Sequence, residues 1–153
     1  MTKPFASGSC QCGQIEYDIL KEPFGVWVCY CSECQKVGAG SHTVTIGILR
    51  EDFILQKGKL AHWDRLSDAG VKNRANFCGV CGNRIFHENP DAPEKVRLKT
   101  GTLEAIELTP EAHLWTIRAP SWIRIPEDTL NYKTQPTVEK FFEAIERKRD
   151  GGI

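Results

Sequence analysis

Seven cysteines in 153 residues constrain this chain more than any other feature. They fall in three tight groups. Cys10 and Cys12 form C-x-C, Cys29, Cys31 and Cys34 form C-x-C-x-x-C within "CYCSEC", and Cys78 and Cys81 form C-x-x-C. An odd count does not pair off into disulfides. The opening residues "MTKPFASGSCQCG" contain no apolar signal core, so the expected location is cytoplasmic, where thiols stay reduced. Close cysteine clusters in that setting point to metal.

A closed structural zinc site takes four protein ligands, whereas a catalytic one keeps three and leaves a position open. Seven cysteines therefore suggest one site of each kind. If the triplet Cys29, Cys31 and Cys34 acts as a unit, Cys10, Cys12, Cys78 and Cys81 close the other site. Three ligands within six residues close on one ion with little loss of loop entropy, which favours this partition. A rival joins Cys31 and Cys34 to Cys78 and Cys81 and leaves Cys10, Cys12 and Cys29 over. Gly13 and Gly82 directly follow a cysteine, where a knuckle-like turn uses left-handed backbone. Of the histidines His42, His62, His87 and His113, His42 is the nearest in sequence that could close the triplet.

The remaining sequence reads as one mainly β domain over 1–153. The length fits a single domain able to bury a core without metal. Strands are expected at 14–20, 42–50, 52–58, 84–89 and 95–103, with further strands at 113–119 and 121–125 around Pro120. In the first of these, Ile15, Tyr17 and Ile19 alternate onto one face. One C-terminal helix is predicted, because Val138, Phe141, Phe142 and Ile145 recur at helical period. Pro136 suits its first turn, Arg147, Lys148 and Arg149 its negative end, and Gly151 with Gly152 its stop. Lys plus Arg and Asp plus Glu are both 20. That zero balance argues against nucleic acid or an anionic membrane as partner, and no apolar run is long enough to span a bilayer.

The set "GSCQCG … CYCSECQKVGAG … NFCGVCGNRIF … KTGTLE", continued by "EAHLWTIRAPSW", resembles the glutathione-dependent formaldehyde-activating enzyme family, which also contains centromere protein V. The resemblance implies a small antiparallel, zinc-bound β-tent-like fold shared with methionine sulfoxide reductase B and Rab-accessory zinc proteins. It implies two zinc ions per chain, with Cys10, Cys12, Cys78 and Cys81 as structural ligands and Cys29, Cys31 and Cys34 on an open, catalytic zinc. The activity it implies is a carbon–sulfur lyase reaction, condensation of glutathione with formaldehyde to S-hydroxymethylglutathione.

Charge arithmetic agrees with a thiol substrate. Three thiolates against one divalent ion leave a net negative site, a weak Lewis acid suited to a soft sulfur more than to water. A thiol such as glutathione carries two carboxylates, and Lys36, Arg74 and Arg84 are the cations in reach of the cysteine groups in sequence. Trp63, Trp115 and Trp122 are candidate pocket walls, and "VGAG" at 37–40 is a candidate flexible loop. Two other functions fit the same motifs: a non-catalytic zinc module that binds a protein partner, and a reductase using a free cysteine.

Overall fold

The structure is a computed structural model and describes residues 2–151. The strands, in chain order, are β1 Ala6–Ser9, β2 Glu16–Ile19, β3 Gly25–Cys29, β4 Thr43–Leu49, β5 Phe53–Lys57, β6 Leu60–Leu66, β7 Lys72–Cys78, β8 Arg84–Asn89, β9 Ala92–Lys99, β10 Ala112–Leu114 and β11 Leu130–Asn131. The helices are α1 Ser32–Val37 and α2 Val138–Arg149. The fold is mainly β with a C-terminal helix, as expected. Contacts divide the chain into two compact units, each made of two separate stretches. One takes the residues up to Pro23 and Ile46–Glu107, and the other takes Phe24–Thr45 and the residues from Leu108 on.

In the first unit β2 pairs with β1 and β5, both antiparallel. The ladder β6–β7–β8–β9 is antiparallel throughout. The alternation read at 14–20 is real: Ile15, Tyr17 and Ile19 are buried. Tyr17 stacks on Phe53 at 5.1 Å between ring centres, and Phe53 tilts against Phe86 at 4.8 Å. The Tyr17 hydroxyl reaches Thr102 Oγ1 at 2.7 Å, so the polar end of a fully buried ring is satisfied. Gly8 is needed beside it, because a Cβ there would lie 2.3 Å from the Tyr17 ring.

The second unit is built on β3, whose five residues are all buried. It pairs parallel with β10, which pairs parallel with β11. A parallel strand covered on both faces reads as a continuous apolar run and shows no alternation. That is why "GVWVC" gives no period-two signal. The helix α2 covers this layer. Phe141 meets Trp27 edge-on at 5.3 Å, and Phe24 meets Phe142 edge-on at 5.0 Å. Ile145 is fully buried, and a Cβ on Gly25 would approach its Cδ1 to 3.1 Å. Arg149 grips Glu111, whose carboxylate also accepts the Val26 N–H at 2.9 Å.

Several expectations need correction. The segment 121–125 forms no strand, and Trp122 is 69% exposed. Pro120 and Pro126 bracket it and offer no ladder donors. The strand expected at 113–119 ends at Leu114, because Trp115 turns left-handed at φ 58° and a 3-10 turn follows at Thr116–Arg118. The strand expected at 95–103 starts at Ala92 and stops at Lys99 before another 3-10 turn. Pro136 precedes the helix cap Thr137 and lies outside the first turn. Val138 is exposed, so the buried stripe of α2 is Phe141 and Ile145. Gly151 does take the left-handed stop at φ 79°, while Gly152 lies outside the described residues.

Two predictions follow from this packing. Phe141→Ala should destabilise the fold by about 3–5 kcal/mol, measured by urea unfolding; a loss under about 1 kcal/mol would mean that α2 does not cover the layer. His113 is buried, and burial, helped by the His42 charge, lowers its pKa from 6.5. The unfolded chain therefore binds the extra proton first, and stability should fall as pH drops through about 6.5. His113→Gln should flatten that slope between pH 7.5 and 5.5 in the same unfolding assay.

Candidate metal centres

The first centre lies in the first unit, where two turns meet. One follows β1 and carries Cys10, Cys12 and Gly13; the other follows β7 and carries Cys78, Cys81 and Gly82. Both glycines are left-handed, at φ 78° and 81°, with open space where a Cβ would stand. Their backbone conformation, and not crowding, calls for glycine. The turns close by hydrogen bonds from Gly13 N–H to Cys10 C=O at 3.0 Å and from Gly82 N–H to Cys78 C=O at 2.9 Å.

The four sulfurs all lie within 4.8 Å of one another, with Cys12 Sγ 3.6 Å from both Cys10 Sγ and Cys78 Sγ. A tetrahedron with metal–sulfur bonds of ~2.3 Å has edges of ~3.8 Å, so the donor set fits a tetrahedral thiophilic ion. Backbone N–H groups aim at the sulfurs: Ile15 at Cys10 Sγ, 3.2 Å, and Val80 and Cys81 at Cys78 Sγ, 3.4 and 3.5 Å. Such donors favour the charged form.

The four thiols act on one another. The backbone N–H of Asn83, then that of Cys12, pulls Cys81 down to about 6. Cys12 is pushed up to about 11: the Gln14 N–H favours its thiolate, but some loss of solvation and the three neighbouring thiols outweigh it. Cys10 is lowered, because the Ile15 N–H and the Cys12 and Cys78 thiols overcome its burial. Cys10, Cys12, Cys78 and Cys81 could together hold a divalent ion, which would favour the thiolate form of all four.

Sequence reasoning missed Asn83. Its Oδ1 accepts the Gln11 N–H at 2.6 Å and the Cys81 thiol at 3.7 Å, which joins the two turns. The only signal was an amide two positions past a cysteine.

The second centre lies in the second unit. Cys29 ends β3, Cys31 caps α1, and Cys34 sits within that helix. The short helix was not expected. It forms because Cys31 Sγ accepts the Cys34 N–H at 3.3 Å in place of the usual oxygen cap, with Glu33 in its first turn and Lys36 in its last. The three sulfurs lie within 4.8 Å of one another, and among the described residues no fourth Cys, His, Asp or Glu ligand joins them. His42 instead points Nδ1 at Ser41 Oγ, 2.7 Å, and its ring packs on Tyr30. The Cys31 and Cys34 thiols, with burial, push Cys29 far up. Cys31 is also raised: Cys29 favours its thiolate, but Cys34 and burial prevail. Three crowded thiols with one buried are again a donor set that a soft cation suits.

The surroundings are apolar. Cys29 belongs to a buried cluster with Trp27, Ala112, Leu114, Phe141 and Ile145, against which Cys31, Cys34 and Trp115 pack half-buried. Tyr30, between two of the cysteines, is buried and places its hydroxyl 3.1 Å from His113 Nδ1. The candidate loop at 37–40 is held more tightly than its glycines suggest: a Cβ on Gly38 would meet His42 O at 2.3 Å, and Ala39 is left-handed at φ 49°.

Of the nominated cations, Lys36 is exposed and faces Glu33 at 3.5 Å. Arg74 is gripped by Asp64 through two bonds, 2.7 and 2.8 Å. Arg84 donates to His87 Nε2 at 3.1 Å and lies over Phe77. Of the nominated tryptophans, Trp115 lines the triplet's cluster, while Trp63 and Trp122 are exposed.

Asn83→Ala should release metal from the four-thiol centre to a chelator about 10–100-fold more readily, followed by cobalt–thiolate absorption. Release at the wild-type rate would show that Asn83 does not support that centre.

The chain matches a known family and is similar in fold to solved structures. The model of the family described as glutathione-dependent formaldehyde-activating enzyme matches residues 5–118. A crystal structure of a Rhodobacter sphaeroides protein, a structural-genomics target, is similar at a TM-score of 0.51 and 22% identity, covering 66% of this chain and 90% of that one. At that identity the likeness is one of fold. Comparison with curated proteins gave no match. No helix among the described residues is long and apolar enough to cross a membrane. The three cysteine groups all fall inside the matched span, and the chain belongs to the glutathione-dependent formaldehyde-activating enzyme family.

Proposed function

We propose that this protein adds a glutathione-like thiol to formaldehyde or a similar small electrophile, a carbon–sulfur lyase-type reaction. The observation that carries the reading is the triplet Cys29, Cys31 and Cys34, three convergent sulfurs with no fourth protein ligand beside them among the described residues. Zinc held there would supply a position at which an incoming thiol loses its proton at neutral pH. The overall change adds the sulfur to the carbonyl carbon and a proton to the carbonyl oxygen, so atoms and charge balance.

The chain's own residues supply the rest. The three cysteines bring one negative charge more than a divalent ion cancels, which favours a soft sulfur over water in the remaining position. Trp27, Leu114 and Trp115 wall the cluster with apolar surface and limit water around it. Lys36 shares α1 with Cys34 and presents an exposed ammonium suited to a substrate carboxylate. In this reading Cys10, Cys12, Cys78 and Cys81 hold a structural zinc that ties distant stretches of the first unit together. Seven free thiols suit a reducing compartment such as the cytoplasm.

Cys31→Ala should abolish thiol-dependent consumption of formaldehyde while one zinc per chain remains, measured by turnover and by metal analysis. Unchanged turnover in that variant would sink the proposal. Two zincs with no thiol binding in calorimetry would point instead to a protein-interaction module.

A further inference from the structure

Among the described residues, β6 ends the ladder β6–β7–β8–β9 and has a neighbouring strand on one side only. It pairs with β7 over its whole length, from Leu60 on Cys78 to Leu66 on Lys72, with no register shift. A free strand edge carries a row of backbone N–H and C=O groups that another strand can take up, and proteins blunt such edges with short strands, prolines, lysines and bulges. The edges of the sheet β1–β2–β5 are blunted in this way. The strand β1 has four residues, with its Gly8 bridged to Leu103, and β5 meets β2 through a register shift. In contrast, β6 holds no Pro, Gly or Lys, and Trp63 and Leu66 stand 52% and 65% exposed on it. Its two charges, Asp64 and Arg65, are of opposite sign.

The strand is complementary to itself. Antiparallel pairing is the more stable kind, and two copies that extend a sheet in this way are related by a two-fold axis normal to it. Paired positions share a face, so the axis falls on a residue that meets its own copy. Centred on Trp63, the pairing takes in every residue of β6. His62 then faces Asp64 of the second copy, Leu60 faces Leu66, Ala61 faces Arg65, and the two Trp63 rings meet at the centre. Each Arg65 lies diagonal to the opposite Trp63, within reach of its ring. Moving the axis to Asp64 sets like charges against each other. Moving it to His62 sets Leu60 against Asp64, and either shift leaves strand ends unpaired. Asp64 is already fixed for its place, because Arg74 on β7 holds it through bonds of 2.7 and 2.8 Å.

We propose that β6 is a dimer interface, on which a second copy of this chain adds its own β6 antiparallel about Trp63. The inference is independent of the chemistry at the metal centres. It is tested on the metal-loaded chain by sedimentation and by amide NMR, over dilution from ~1 mM to ~10 µM. The expected result is a monomer–dimer equilibrium whose shifts concentrate in Leu60–Leu66 and the Trp63 indole. His62→Glu, which sets an acid against Asp64 on both sides of the axis, should weaken the dimer about tenfold or more, and His62→Lys should strengthen it. His62 is exposed, and melting curves check that both variants fold. A chain that stays monomeric at ~1 mM, a dimer whose β6 signals do not move, or charge variants that dimerise alike would overturn the proposal. So would an alternating Thr-Val peptide that binds β6 of a chain that stays monomeric, since the edge would then serve a foreign strand.

Discussion

Crowded thiols are the interaction on which this structure turns. Four sulfurs in one unit and three in the other sit at distances that like charges tolerate only around a cation. The local backbone is shaped to that end. Two left-handed glycines turn the chain beneath the quartet, and a six-residue helix capped by sulfur turns it beneath the triplet.

The difference between the centres lies in their walls. The quartet closes on itself and is stitched by Asn83, as suits a tie between strands. The triplet backs onto Trp27, Leu114 and Phe141 and, among the described residues, brings three donors together. On the proposed reading, a soft ligand would be favoured over water in such sulfur-rich, apolar surroundings.

Much of this was legible in the sequence, for identifiable reasons. Cysteine spacing and two following glycines are short-range signals, and the turns they describe exist. The alternation of Ile15, Tyr17 and Ile19 is likewise local. The rest failed where structure depends on distant partners. The strand β3 shows no period because it is covered on both faces, and β6 is too exposed to show an apolar one. The segment around Trp122 contains strand-favouring residues, yet its flanking prolines cannot join a ladder. Among the cations, nearness in sequence nominated Arg74, which Asp64 holds from the neighbouring strand, a partner that only the register of β6 on β7 reveals.

The two centres also differ in when a growing chain completes them. The triplet is contained in six residues and is finished once Cys34 leaves the ribosome. The quartet must wait for Cys81, about 47 residues later, or roughly 2–10 s at ordinary rates of synthesis. Through that interval Cys10 and Cys12 are a pair without partners, next to a complete set of three. A thiophilic ion that met the nascent chain in that interval would find three convergent thiols at one centre and only two at the other.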